Sequence, residues 1–337
     1  MAPNSSSNRS SRRRPRIGVA FGGGGVLGAA WIAGALVSLQ QRLERPLHEV
    51  DIVLGTSAGS VIAAALRCGV GVDEIVAHQR GAAIVALPAL GEIDRESGSR
   101  PPLPRLRLGS TRLLASAARA PHRVHPWVAA SALLPQGRAQ HRTLTGLVHA
   151  LLATSDGRIR PTELAWPELP TWVIAVDYGS GRRVAFGRPG APEASLPDAV
   201  VASCSIPGWH EPKLIGERRY VDGGLRSNTS VDLLSRVPLD EVYVLAPMAS
   251  LETDRPRNPA LRAERFVRQL IASGLAREVR KVEATGAAVR ALMPGPEDLA
   301  AMGMNMMDPA RRAQVLETSL RTSPGRWTAL DGHAAAA

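Results

Sequence analysis

Aromatic residues are scarce in this 337-residue chain, at 4%, so a large core must be built from Ala, Val, Leu and Ile instead of rings. Cysteine is rarer still, with only Cys68 and Cys204. Two thiols in apolar surroundings give no disulfide framework and no metal-ligand spacing; they read as buried, reduced side chains. Lysine is nearly missing: Lys213 and Lys281 stand against a large excess of Arg. No convincing membrane span is present either. Residues 17–39 carry no charge and follow an Arg-rich stretch, yet seven of those 23 residues are glycine, four of them consecutive. A continuous helix does not tolerate that run. A strand, a loop and a buried helix account for it, and the expectation is a cytoplasmic protein, soluble or peripheral on a membrane. No internal repeat is visible.

What is there is a hydrophobic content of 45%, enough for a sizeable α/β core. The net charge of +11 is unevenly spread. Residues 1–16 hold five Arg and no acid, and residues 95–142 hold nine Arg and one Glu, which leaves the remainder at −2. The basicity therefore belongs to a tail and one segment, and points to a local contact. Residues 1–16 read as a disordered basic tail, 17–330 as one domain, and the Ala-rich 331–337 as a second disordered tail. About 91–140 reads as a cap-like insertion. Pro101, Pro102 and Pro104 break it, Arg alternates with Leu at 105–108, and Ser110 caps an amphipathic helix to 118. Arg for phosphates and Leu for the interface suit an anionic membrane surface, although a solvated basic lid with no partner reads equally from the same residues. Without stacking aromatics among the basic residues, nucleic-acid binding is not expected.

Along the chain, strands are expected at 16–21, 52–54, 172–176 and 241–245. Hairpins are expected at 172–186 and 213–221. Helices are expected at 29–39, 61–67, 73–80, 141–152, 198–205, 262–290 and 309–320. The helix at 29–39 has no polar face, so it must be buried on both sides, as in a layered α/β core.

Three short constellations carry chemistry. Gly23-x-Gly25-x-x-Gly28 follows the first strand, where bare backbone N–H groups face one anionic centre. No Lys-Ser/Thr follows, so it is not a P-loop; the anion is a pyrophosphate or the oxyanion of a tetrahedral intermediate. A dinucleotide site also wants an acidic residue closing the second strand. That strand closes instead with Gly55-Thr-Ser-Ala-Gly59, a G-x-S-x-G turn that holds Ser57 at its tip before a helix. By itself the pattern is a nucleophile or an ordinary strand-to-helix turn. A serine nucleophile needs a base, and no histidine fits the usual Ser, Asp, His order, since only His333 follows His210. His210, after Pro207-Gly-Trp, reads as structural. Asp222 is the candidate base, pinned by Gly223 and Gly224; its alternative is a plain turn residue. A free Asp, with pKa ~3.9, is a poor base, but burial raises it.

These elements, in this order, resemble the patatin-like phospholipase family: Gly23-Gly-Gly-Val-Leu-Gly28, Gly55-Thr-Ser-Ala-Gly59, Ala202-Ser-Cys-Ser-Ile-Pro-Gly208 and Asp222-Gly-Gly224. The resemblance covers about residues 16–250, with a further stretch in 294–321. It implies a three-layer α/β sandwich with a mostly parallel central sheet. It implies a serine–aspartate dyad, with Ser57 as nucleophile and Asp222 as base. Backbone amides of Gly23, Gly24, Gly25 and Val26, with Ala58, would form the oxyanion hole, and Gly28, Gly55, Gly59, Gly223 and Gly224 would shape the supporting turns. The implied reaction is hydrolysis of a lipid or fatty-acyl ester through an acyl-enzyme, with no cofactor and no metal. One position departs from the pattern: many members carry Arg or Lys before the last loop glycine, where this chain has Leu27. The oxyanion would then rest on backbone dipoles alone, and losing one donor costs ~10²–10³ in turnover. Two further readings stand beside the hydrolase: a weakly active or inactive member that binds lipid or a partner through the insertion, and a nucleotide-binding α/β protein.

Overall fold

The computed structural model describes residues 13–82, 84, 98, 100–153, 155, 158–159, 164–252 and 256–334. Expectations for residues 1–12, for most of 83–99 and for 335–337 lie outside the described residues. The strands are β1 (Ile17–Phe21), β2 (Ile52–Thr56), β3 (Arg105–Leu108), β4 (Pro135–Gln136), β5 (Thr171–Asp177), β6 (Arg183–Phe186), β7 (Lys213–Ile215), β8 (Arg218–Asp222), β9 (Glu241–Leu245) and β10 (Ala288–Leu292). The helices are α1 (Gly25–Arg42), α2 (Ala58–Arg67), α3 (Val72–Gln79), α4 (Thr111–Arg119), α5 (Pro126–Ser131), α6 (Arg142–Ala153), α7 (Leu196–Cys204), α8 (Pro259–Glu283), α9 (Pro296–Met302) and α10 (Arg312–Ala334).

Five strands run parallel in the order β10-β9-β1-β2-β5, and β6, β7 and β8 are antiparallel additions. β1 and β2 are buried along their whole length, which is why they read as unbroken apolar runs and not as alternating ones. Their side chains divide between two cores. Val19, Phe21 and Val53 meet Trp31, Ile62, Leu147, Val200 and Trp327 on one face. Ala20, Leu54, Val242 and Val244 meet Leu234, Ala272 and Leu275 on the other. Helices on both faces of a mostly parallel sheet make the expected three-layer sandwich.

The decisive piece of topology lies on β5. Val173 and Ile174 pair with β6 and are also in the run that pairs with β2, where Ile174 faces Thr56. Ala175 and Val176 pair with β6 and with β8, where Ala175 faces Asp222. A strand has two edges, so β2 and β8 must share one of them. β8 takes over where β2 ends. The residue after Thr56 and the last residue of β8 are thereby delivered to the same spot.

Several expectations are corrected. The long helix expected over 262–290 stops at Glu283, because Gly286 turns the chain at φ 93° and residues 288–292 then add to the free edge of β9. The tail expected from 331 is helical through Ala334, and Asp331 is held by Arg42 and Arg290. Residues 13–16, the end of the expected basic tail, touch the domain: Arg13 and Arg14 pair with Asp240 and Glu49, and the Arg16 N–H donates to Asp240. α1 begins at Gly25, directly from the glycine loop, instead of at 29. No helix among the described residues is long and apolar enough to cross a membrane.

The described part of the insertion, from residue 100 on, packs beside the sheet through its own small core. Leu113, Val128 and Ala132 contact Val176, Tyr178 and Val221. Ser110 Oγ donates to the Tyr178 carbonyl, and Tyr178 OH donates to the Ser131 carbonyl at 2.7 Å. Val221 immediately precedes Asp222, so the cap stands next to the strand end that carries the carboxylate.

α10 packs on the core through Val315, Leu316 and Trp327, 1% exposed, whose Nε1 donates to Ser38 Oγ at 3.0 Å. Trp327→Ala should cost about 3–5 kcal/mol of stability, measured by urea unfolding. A loss below about 1 kcal/mol would mean the helix is not part of the cooperative core.

Candidate active site

Ser57 sits between β2 and α2 with φ 52° and ψ −126°, a backbone conformation that L residues avoid. Three contacts hold it there. Its N–H donates to Ser203 Oγ at 2.8 Å, and Ser203 Oγ in turn donates to the Ile174 carbonyl at 2.6 Å. The Ser57 carbonyl accepts from the N–H and hydroxyl of Ser60, at 2.8 and 2.6 Å. The flanking glycines are demanded by close approach. A Cβ on Gly59 would lie 2.3 Å from the Phe21 carbonyl oxygen, and one on Gly55 would lie 2.5 Å from that of Gly59. The turn therefore packs directly on the end of β1.

Asp222 ends β8 and is 7% exposed, as is Ser57. Its N–H donates to the Ser205 carbonyl at 2.9 Å, and its Oδ1 accepts from Gly224 N–H at 2.7 Å. Gly223 lies against Ile174, whose carbonyl would be 2.5 Å from a Cβ there. The same Ile174 carbonyl thus abuts both turns. Across this junction the Ser57 hydroxyl lies close enough to the Asp222 carboxyl to favour its charged form. Burial pushes the Asp222 pKa up to about 6, with the nearby Ser57 hydroxyl and the Gly224 N–H opposing part of that rise.

The loop amides do not all behave as expected. Gly23 N–H is spent on the Asn228 carbonyl at 3.1 Å, so Gly23 is not a donor to a bound anion. Leu27 N–H is spent on the Met306 carbonyl at 3.0 Å, and Gly28 N–H on Gly24. Gly24 caps α1 in extended conformation and does not line the cavity described next. Gly25 and Val26 open α1, and Ala58 opens α2. First-turn N–H groups have no intrahelical acceptor, and both helix dipoles present their positive ends here.

Gly25, Val26, Ser57 and Ala58 line one cavity of about 150 Å³. Most of its remaining wall is apolar, from Val61, Ile62, Ala65, Leu144 and Leu147. Cys204 also lines it, with its thiol against the hydroxyls of Ser57 and Ser60. Burial first, then the Asp222 charge, pushes the Cys204 pKa up, so this thiol stays protonated. His141 and His210 stack in the wall at 4.0 Å between ring centres. His141 Nε2 faces the Cys204 carbonyl at 3.1 Å and therefore carries its proton there. Burial and His141 push the His210 pKa down to about 2, so that ring is neutral. Leu27 is fully buried and contributes no charge to the cavity. Among the described residues no group of His, Cys, Asp or Glu is arranged to hold a metal ion.

Sequence reasoning missed Ser203, Asn228 and the His141–His210 pair. Ser203 lay inside the quoted Ala202–Gly208 stretch, but its bond to Ser57 spans 146 residues and has no local signature. Asn228 follows the Asp222 loop closely, yet what it offers is a main-chain carbonyl, which every residue has.

The family model described as Patatin-like phospholipase matches residues 19–85 and 163–235. The first stretch holds the end of β1, the glycine loop and the Ser57 turn; the second holds β5 to β8 and Asp222. The cap lies between them. Among solved structures, VipD from Legionella pneumophila is 13% identical with a TM-score of 0.38, over 90% of this chain and 66% of its own. The type III effector protein ExoU is 15% identical with a TM-score of 0.38, over 92% of this chain and 52% of its own. The chain thus spans less than two thirds of either. No curated protein matches it in sequence.

The raised carboxyl has a consequence for stability. Free Asp titrates at 3.8 and Asp222 at about 6, so the folded state holds this proton more tightly than the unfolded chain. Its contribution to stability is complete below pH 3.8 and is lost as pH rises through 6, by up to about 3 kcal/mol. Asp222→Asn cannot ionise. It should melt above the wild type at pH 8, and the gap should close near pH 4. Equal midpoints at pH 8 would mean the carboxyl is not buried as described.

Proposed function

On a chain similar to patatin-like phospholipases over its Ser57 and Asp222 segments, we propose that this protein is a lipid acyl hydrolase working through a Ser57–Asp222 dyad. The family match supports the general activity. The observation that carries the dyad is the juxtaposition, at adjacent positions of β5, of a serine in a strained turn and a buried carboxylate. The Ser57 hydroxyl gives its proton to Asp222 as Oγ attacks the ester carbonyl. A pKa of about 6 makes Asp222 a stronger base than a solvated carboxylate while leaving it ionised at neutral pH. Charge building on the carbonyl oxygen meets the amides of Gly25, Val26 and Ala58. Asp222 then returns the proton to the departing alkoxide, leaving an acyl group on Ser57. Water, deprotonated by Asp222, attacks the acyl carbonyl, and Asp222 passes that proton to Ser57 Oγ as the fatty acid leaves.

The cavity supports an apolar acyl substituent, because a volume of about 150 Å³ accepts roughly six carbons out of water. The nucleotide reading loses support from the same geometry. Two loop amides that would face a pyrophosphate, those of Gly23 and Leu27, are already bonded within the protein.

Membrane contact through the cap belongs to the same proposal. Leu103 and Leu106 are 86% and 103% exposed, and the same segment exposes Trp127 and Leu133 together with Arg107, Arg112, Arg119 and Arg123. Apolar side chains projecting among unburied Arg match an anionic bilayer surface, which makes the protein a peripheral enzyme.

Ser57→Ala and Asp222→Asn should each lower ester hydrolysis by at least about 10³-fold, and a fluorophosphonate should label the wild type at Ser57. The wild-type kcat/KM should rise with pH through about 6 and then level off. Undiminished turnover in either variant defeats the dyad. Leu103→Ser combined with Leu106→Ser should reduce co-sedimentation with phosphatidylglycerol vesicles. Unchanged sedimentation would separate the cap from the membrane.

A further inference from the structure

Arg268 is a guanidinium buried to 1% exposure, on a helix that does not touch the cavity. Burying a charge is costly unless every donor is used. Its Nε is taken by Glu264 one turn earlier. Nη1 donates to the Pro247 carbonyl at 2.7 Å, and Nη2 lies 3.4 Å from Met306 Sδ and 3.7 Å from Met302 Sδ. These two segments, the one after β9 and the one after α9, enclose the glycine loop. A Cβ on Gly24 would lie 3.0 Å from Pro247 Cγ, so the loop rests on the proline ring. Met306 accepts the Leu27 N–H at 3.0 Å, and its carbonyl oxygen would be 3.0 Å from a Cβ on Gly25. One side chain therefore ties together both walls against which the amides of Gly25 and Val26 are set.

We propose that Arg268 is a positioning residue for the amides of Gly25 and Val26, acting through Pro247 and Met306 without touching substrate. The inference rests on the hydrolase reading for its catalytic consequence, but the mechanical link stands on its own. Without the guanidinium the two walls lose their shared partner, the start of α1 is free to shift, and the donors no longer meet the developing negative charge. A misplacement of that kind acts on the transition state more than on the bound ester, so it lowers kcat and leaves KM nearly alone.

The test compares wild type, Arg268→Met and Arg268→Lys by ester kinetics and by hydrogen–deuterium exchange over residues 22–31. Arg268→Met should lower kcat by about tenfold or more at similar KM. Exchange should accelerate in 22–31 while the peptides of α6 and α7 keep wild-type rates. Arg268→Lys, which keeps one donor for the Pro247 carbonyl, should recover part of the kcat. If Arg268→Met does not fold, the Lys variant alone carries the test, with intermediate kcat and intermediate exchange expected. Wild-type kcat and wild-type exchange in the folded variants overturn the proposal, as does a change confined to KM. If exchange accelerates but even the wild type hydrolyses no ester, the positioning link holds and the hydrolase reading is what fails.

Discussion

The structure depends on one handover, at the edge of β5 where β2 stops and β8 begins. Ile174 faces Thr56 and the next residue, Ala175, faces Asp222. Consecutive residues of one strand thus set the separation of two side chains that lie 165 positions apart in sequence. The Ile174 carbonyl secures the arrangement, since it accepts the Ser203 hydroxyl that holds the Ser57 N–H and it packs against Gly223. Most of the chemistry proposed for this protein is a consequence of that local geometry.

The same junction explains why the site is both buried and strained. A serine at positive φ and a carboxylate lifted to about 6 each work against folding. They persist because the surrounding sheet is held independently on both faces by separate apolar cores. The two helix N-termini that converge on the cavity come from successive β-strand-to-helix connections of neighbouring parallel strands. Parallel neighbours bring the N-termini of their following helices to the same end of the sheet. The convergence of these two helix N-termini on the cavity therefore follows from sheet topology.

Much of this was legible from the residues. Unbroken apolar runs announced β1, β2, β5 and β9, and the paired glycines announced turns where no Cβ fits. The Ser57 and Asp222 positions followed from glycine-framed turns at strand ends. Less legible were elements defined by their partners. β10 looks like the end of a charged helix, because an edge strand takes its hydrogen bonds from β9 and is only half covered. The end of α10 looks like a tail until Arg42 and Arg290 are found beside Asp331. Gly23 looks like a better anion donor than it is, because the acceptor that consumes its N–H is the main-chain carbonyl of Asn228, 205 residues away.

Local composition and pattern, then, determined that the chain is α/β and where the two turns that carry the serine and the aspartate fall. Each of those depends on residues within a few positions of one another, where steric demands and apolar periodicity act directly. Only the tertiary structure decided that the two turns meet, how far the carboxyl is lifted, which amides remain unspent, and that a buried guanidinium from α8 braces the loop. Those outcomes depend on which distant groups share a desolvated space, and hydrogen bonds and burial between remote segments exist only once the sheet has been assembled.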